Sequence, residues 1–489
     1  MNTLSRLWFV FALVLLLAGC KVGPNYHRPS PLGTNAIPTR FSPADTNAPE
    51  WKSAEPAASL PRGTWWEIFG DVELNRLETL ATVNNQELAG ALARFDQARA
   101  SVDIAHSGLL PQVQLDSSFT RQRTSFNQPQ SGQAAGSSPT FNNFTMQLQA
   151  GWEADLWGRV RRQVEAAQAT LNASADDLEG VRLAINAEVA TDYFTIRALD
   201  AEHDLLARAA ETFRRSLELT LNRRKGGIAS DLDVSQAQTQ LRSTEAQLPA
   251  LELQRAKLVH ALATICGQPA IGFNLASDTA QATFVPKVPV SLPSELLERR
   301  PDIAAAEQRM AAANAQVGVA QGAFYPRLVF NGLAGFQSLD AASWFNWPSR
   351  FWAVGPSLQL PLFTGGLNRA QLALARAGYD STVAGYRQTV LDAFQEVEDQ
   401  LAAQRLLQTQ VEAEASAFSA AQHTLEIANN RYKAGLVTYL EVAVAQSSAL
   451  ALEQSVVQLR GEKLVAAVGL VRALGGGWET GAQSIKYEH

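Results

Sequence analysis

The sequence predicts an internally duplicated α+β membrane protein whose strands cross the bilayer and whose chains must assemble to close a barrel. Three observations predict it. The first is a long-range repeat: Gly158, Arg161, Gln163 and Ala167 recur 208 positions later as Gly366, Arg369, Gln371 and Ala375. Leu232, Val234, Ala237 and Gln238 recur at the same offset as Leu440, Val442, Ala445 and Gln446, and Ala98, Val102, Ala105 and Pro111 recur 215 positions on as Ala313, Val317, Ala320 and Pro326. The second is a pair of alternating polar and apolar segments in each half. The third is a proline-free run of about 67 residues in each half, long enough for about 100 Å of helix. A period of this length is not that of a solenoid.

The elements follow in order. Arg6 and the short apolar run Leu7–Leu17 read as an export signal over 1–19, too short to span a bilayer. Residues 20–62, rich in Pro, Asn, Ser and Ala, read as an extended tether. Repeat one covers 63–267. It opens on a helix with Leu74, Leu77 and Leu80 on one stripe, which Pro111 ends. A hairpin over 112–157 follows. One strand alternates Val113, Leu115 and Phe119 with Gln114, Asp116 and Ser118, and the next alternates Met146, Leu148, Ala150 and Trp152 with Gln147, Gln149, Gly151 and Glu153. Residues 126–142 read as the loop between them. A long helix pair over 158–267 turns at Gly226-Gly227, where glycine supplies a left-handed residue, and a helix of about 35 residues returns. After a linker over 268–298, repeat two (299–475) carries a hairpin over 327–363, with its loop at 338–350, and a helix pair over 366–475 that turns at Gly435. Residues 476–489 form a tail.

Each strand is about 9–12 residues with one apolar and one polar face, which suits a membrane barrel with a wet lumen. Four strands cannot close a barrel, because the smallest membrane barrels have eight. Val411, Phe418, Leu425 and Tyr432 step by sevens as in a coiled coil, yet Ala saturates these helices, which suits a wall with one wet face.

Composition excludes several functions. The net charge of -6 argues against nucleic acid as a partner. The six histidines are scattered without metal-ligand spacing, so no metal or cofactor is expected. Glu153 and Asp155, two apart on one strand, are the most tempting acid pair, but a polar lumen accounts for them better than catalysis does. Cys266 lies in an apolar helical context and reads as an inert buried thiol.

Several separate phrases then resemble one family, the TolC-like outer-membrane efflux proteins in their lipoprotein branch. They are Leu17-Ala18-Gly19-Cys20, Cys20-Lys21-Val22-Gly23-Pro24-Asn25-Tyr26, Trp65-Trp66 with Phe69-Gly70-Asp71, Trp152-Glu153-Ala154-Asp155-Leu156-Trp157-Gly158-Arg159, Leu292-Pro293 through Arg300-Pro301-Asp302-Ile303, and the glycine turn Arg431 to Leu440. The resemblance implies a homotrimer with four strands per chain closing one twelve-stranded outer-membrane barrel, continued by a periplasmic helical barrel. It implies an exit duct working with a periplasmic adaptor and an inner-membrane transporter, lipidated at Cys20. It places the hairpin loops outside the cell and the helix turns at the far periplasmic end, with Gly227 and Gly435 as turn residues and Leu436 and Tyr439 as exposed adaptor contacts. It also sets Glu441 where the TolC-type gate carries an acid. Val444 replaces a second acid and Val437 is apolar, so the constriction reads as partly hydrophobic. Asp231 and Asp233 are expected to pair with Arg431 or Arg223. The competing class is a trimeric membrane-anchored adhesive stalk, against which the twice-repeated alternation of helix and strand argues.

Overall fold

The computed structural model describes residues 21–33, 63–123, 125, 140–278 and 299–476. The readings made on 1–19, Cys20, 34–62, 126–139, 279–298 and 477–489 lie outside the described residues. The described elements are α1 (Val72–Asn84), α2 (Gln86–Ser107), β1 (Gln112–Arg123), β2 (Thr140–Ala154), α3 (Arg159–Lys225), α4 (Asp231–Glu245), α5 (Leu248–Ile265), α6 (Pro301–Gly322), β3 (Arg327–Ser338), β4 (Arg350–Gln359), α7 (Leu367–Lys433) and α8 (Tyr439–Ala473). Both long helices, α3 and α7, have 67 residues. No described helix is long and apolar enough to cross a membrane.

The chain divides into two compact units. The first comprises the described part of Met1–Pro29 with Arg94–Ser174 and Ala306–Tyr386; the second comprises the described parts of Ser30–Ala93, Ala175–Ala305 and Arg387–His489. Helices α2, α3, α6 and α7 contribute residues to both.

The first unit holds a four-stranded antiparallel sheet in the order β1-β2-β3-β4. Its register aligns Leu115, Leu148, Ala334 and Trp352 in one row and Val113, Ala150, Gly332 and Val354 in the next. Because side chains alternate, these rows make one apolar face and leave Gln114, Gln149 and Asn331 on the other. Strand β2 starts at Thr140, inside the stretch read as loop, because Asn142 and Asn143 keep their ladder partners Arg121 and Thr120. Strand β4 ends at Gln359, before Pro361, which lacks the N–H a ladder needs; Pro356 falls on β4, which has one strand partner within the described residues of the chain.

Sheet and helix meet in a charged joint. Helix α3 opens with Arg159, Arg161 and Arg162 and no acid in its first turn, against the helix dipole. The preceding residues compensate. Asp155 accepts the backbone N–H groups of Val160 (3.1 Å) and Arg161 (2.9 Å), capping the helix from outside. Glu153 accepts Arg159 at 2.9 Å and Arg327 at 2.6 Å.

The segment after residue 20 is extended, as read, but it is not a free tether. Arg162 is fully buried and donates to the carbonyls of Val22 (3.2 Å) and Gly23 (3.1 Å), to Asn25 Oδ1 (3.1 Å) and to Glu165 (2.9 Å). Lys21 also pairs with Glu165, Asn314 donates to the Pro24 carbonyl, and Arg28 pairs with Glu307. Gly23 has a φ of 101° and lies against the backbone of Gly318. A side chain at Gly23 would block that approach, and a Cβ at Gly318 would strike the Arg162 side chain at 2.9 Å.

The second unit is helical. Its main core joins Leu74 and Leu77 of α1, Ile185, Val189 and Tyr193 of α3, Leu262 of α5 and Val468 of α8. Asp71 caps α1 through the N–H groups of Glu73 and Leu74, and its other oxygen accepts the Tyr193 hydroxyl at 2.6 Å. Cys266 is buried in this core, and burial pushes its thiol up to about 11. The return of the first long helix departs from the expected single element. It is two helices, α4 and α5, because Pro249 in the first turn of α5 cannot continue α4. The corresponding α8 has no proline and runs 35 residues unbroken.

Candidate gate and docking tips

The two helix turns of the second unit carry most of the candidate functional residues. Gly227 (φ 74°) and Gly435 (φ 76°) end α3 and α7 in the left-handed conformation. Ile228 and Leu436 donate back to the carbonyls of Arg223 and Arg431, closing each helix end. A Cβ on Gly435 meets nothing within 4 Å. Gly435→Ala therefore carries only the backbone cost of a left-handed residue, about 1–2 kcal/mol. Hydrogen exchange should show amides 431–441 opening about tenfold more often in that variant, since about 1.4 kcal/mol is a factor of ten, and amides 185–196 unchanged.

The turns are bound together by side chains. Ser230 and Asp233 form a reciprocal capping box on α4, and Asp233 also accepts the backbone N–H of Tyr439 at 3.4 Å. Burial raises the Asp233 carboxyl, but its hydrogen bonds from Ser230 and Tyr439 and the nearby Arg223 outweigh this and hold it below the usual range. Arg223 donates to the Tyr432 carbonyl at 3.0 Å and lies 4.6 Å from that ring's centroid, a cation–π contact. Tyr432 in turn meets Tyr439 edge-on at 5.6 Å, a favoured geometry for two rings.

These contacts correct three expectations. Tyr439 is not an exposed docking residue; it is completely buried with Ala237, Val442 and Ala445, its hydroxyl 3.3 Å from Gln446. Asp231 pairs with Arg224 at 2.6 Å, not with Arg431 or Arg223. Asp233 holds the turn through Ser230 and the Tyr439 N–H, with Arg223 acting on it through its nearby charge. The repeat hides the swap: Arg224 and Asp231 stand where Tyr432 and Tyr439 stand 208 positions on, so an ion pair in one turn is an aromatic pair in the other.

The remaining candidates lie at the second turn and the start of α8. Glu441 is exposed, with Arg431 3.8 Å away. Leu436 and Val444 are 71% and 58% exposed, while Val437 is half-buried. Ile228, Leu232 and Leu440 are also exposed; Leu232 and Leu440 are equivalent positions of the repeat. Glu153 and Asp155 are each engaged by arginines of the sheet–helix joint.

Comparison with known proteins decides the family. The sequence signature of the outer membrane efflux protein family matches residues 77–268 and again 292–476. The chain belongs to that family. It is 33% identical over 422 residues to the pyoverdine export outer membrane protein OpmQ of Pseudomonas aeruginosa, covering 86% of this chain and 89% of the relative. It is 32% identical over 468 residues to the probable efflux pump outer membrane protein TtgC of Pseudomonas putida, covering 95% and 94%. Among solved structures, the outer-membrane channel OprN superposes with a TM-score of 0.83 at 29% identity, covering 94% of this chain and all of that one.

Proposed function

We propose that this chain is the outer-membrane exit duct of a tripartite efflux system, passing material from an inner-membrane transporter and a periplasmic adaptor to the outside. Family membership carries the reading, and the sheet supplies its physical form. Both edges, β1 and β4, lack a strand partner within the described residues of the chain. An open four-stranded sheet with an exposed apolar face is a liability that closure removes. Three copies, each pairing β4 with the next copy's β1, give a twelve-stranded barrel. The stretch of β2 from Phe144 to Ala154 covers about 34 Å at the usual rise per residue. At a tilt of about 40° this is about 26 Å of height, matching a membrane barrel's apolar band. Family and form favour this reading over the adhesive stalk.

Cys20 is the lipidation site, and the strap beyond it holds the anchored end against the sheet–helix joint. The helix tips, with Gly227, Gly435, Leu436, Ile228 and Leu232, dock the adaptor. The gate is a threefold ring of Glu441 flanked by Val437 and Val444, part acidic and part apolar, with Arg431 beside each acid.

Closure is tested by cross-linking. Cysteines introduced together at Ser118 on β1 and Ser357 on β4, joined by a bismaleimide, should give a covalent trimer that survives denaturation, while either alone gives monomer. Buried Cys266 does not interfere. Monomer from the double variant under native assembly conditions would refute edge-to-edge closure.

A further inference from the structure

We propose that a cavity between the short turn Trp65–Phe69 and helix α3 binds a pair of ordered water molecules, held between the Trp65 indole N–H and the Asn186 side-chain carbonyl. The site lies wholly within the second unit, and it stands whether or not the chain is a duct.

Its first sign is a polar residue in an apolar stripe. Asn186, Ala190 and Tyr193 follow one another at turn spacing on α3, so they share a face, and all three are buried. Trp65 belongs to the main core of this unit and meets Trp66 edge-on at 5.8 Å. Trp65 and Asn186 are only 4% and 5% exposed. Neither Trp65 Nε1 nor Asn186 Oδ1 has a hydrogen-bond partner among the described residues. A buried donor or acceptor left unpaired carries the full cost of its desolvation. Glu78, buried in the same unit, escapes that cost by taking up a proton. An indole N–H and an amide carbonyl have no such escape, so each needs a partner.

One cavity serves both. Gly63, Trp65, Glu179, Arg182, Leu183 and Asn186 line a space of about 80 Å³. At about 30 Å³ per molecule, this is room for two waters. Gly63 keeps it clear, since even a Cβ there would meet nothing within 4 Å. Arg182 and Glu179, paired at 3.1 Å, add a charged donor and acceptor to the wall.

The two orphaned atoms select the occupant. A cation would suit the carbonyl but oppose the indole N–H, and an anion has the reverse conflict. An apolar ligand satisfies neither. A neutral molecule that accepts from nitrogen and donates to oxygen satisfies both, and water is small enough to do so as a bridged pair. Such a bridge is nearly as favourable as a direct hydrogen bond. It ties the turn that precedes α1 to the middle of a 67-residue helix.

Hydrogen exchange of the purified full-length protein reads the bridge at the amides of Glu67 and Gly70, whose hydrogen bonds close the turn. Trp65→Phe and Asn186→Leu each remove one end. Each should speed exchange there about fivefold, one hydrogen bond's worth. Because both ends hold the same waters, the double variant should fall well short of the about 25-fold product expected of independent contacts. The amides of Gly435 and Leu436 should be unchanged, showing that the fold is intact. An effect in the double variant equal to the product, or none in either single variant, would overturn the proposal. A structure of the parent that resolves ordered water, obtained without alcohols or polyols, decides the occupant even if a variant fails to fold. It should show two waters, one within hydrogen-bond distance of each orphaned atom. A protein group in that place, a dry cavity, or xenon bound there under pressure would overturn it equally.

Discussion

Arg162→Ala should release the strap from the first unit and destabilise it by about 3–5 kcal/mol, the usual cost of removing one member of a buried charged network. Arg162 is completely buried, and its guanidinium ties together Val22, Gly23 and Asn25 of the strap and Glu165 of α3. Without it, two backbone carbonyls lose their donor, and the space it filled is left between the strap and Gly318. Two features keep the expected loss from being larger. Lys21 still pairs with Glu165, and Asn314 still holds the Pro24 carbonyl. Limited trypsin digestion reads the outcome at Lys21, which is followed by Val22; Arg28 precedes Pro29 and is not a trypsin site. The parent should resist at Lys21, Arg162→Ala should be cut there first, and Asn25→Ala, which loses one hydrogen bond worth about 1 kcal/mol, should lie between. Equal resistance in parent and Arg162→Ala would show that the strap is held by other contacts.

Glu78→Gln should stabilise the protein, by an amount that grows with pH. Glu78 is completely buried on α1 and neither carboxylate oxygen has a hydrogen-bond partner. Burial pushes its carboxyl up to about 9. The folded value is above the unfolded one, so folding binds a proton. The stability from this group is full below about pH 4.5 and is lost progressively as pH rises toward 9. At pH 7 the cost is on the order of 3 kcal/mol, taking about 1.4 kcal/mol per unit. Glutamine removes the ionisation while keeping the shape. Thermal unfolding of parent and variant should therefore coincide near pH 4 and diverge steadily up to pH 9, with the variant higher. Asp192, raised to about 6 by burial and by Glu188, titrates in both proteins and cancels in the difference. A gap that does not change with pH would mean that Glu78 is not the titrating group.

The regular parts of the fold were legible because their periodicity is local. Strand alternation placed the apolar face, and the absence of proline together with the terminal glycines placed both long helices. What was not legible depends on distant contacts. The strap has no periodicity, and its carbonyls and Asn25 are held by Arg162, 137 to 140 residues away, and by the still more distant Asn314. Tyr439 was misread because a tyrosine one residue past a turn reads as exposed. The signal for its burial was Tyr432, seven residues earlier across the turn, at the positions that hold Arg224 and Asp231 in the other repeat. Pro249 is the local mark of the break between α4 and α5, and the repeat, which has no proline at this place in α8, gives no sign of it. At the tips, the turn glycines and the exposure of Leu436 followed from the sequence. The ion pairing did not, since Arg223, Arg224 and Arg431 lie within reach of several acids and only the packed turn selects among them.

The central claim, that three chains enclose one duct closed at the tips by a part-acidic ring, is tested most directly by single-channel recording of the purified trimer in planar bilayers. The account predicts discrete conductance steps. It also predicts that Glu441→Gln and Arg431→Ser each change the conductance and weaken block by multivalent cations added from the tip side. A trimer that inserts into the bilayer yet passes no current, with Arg431→Ser equally silent, would contradict the duct and favour a solid stalk.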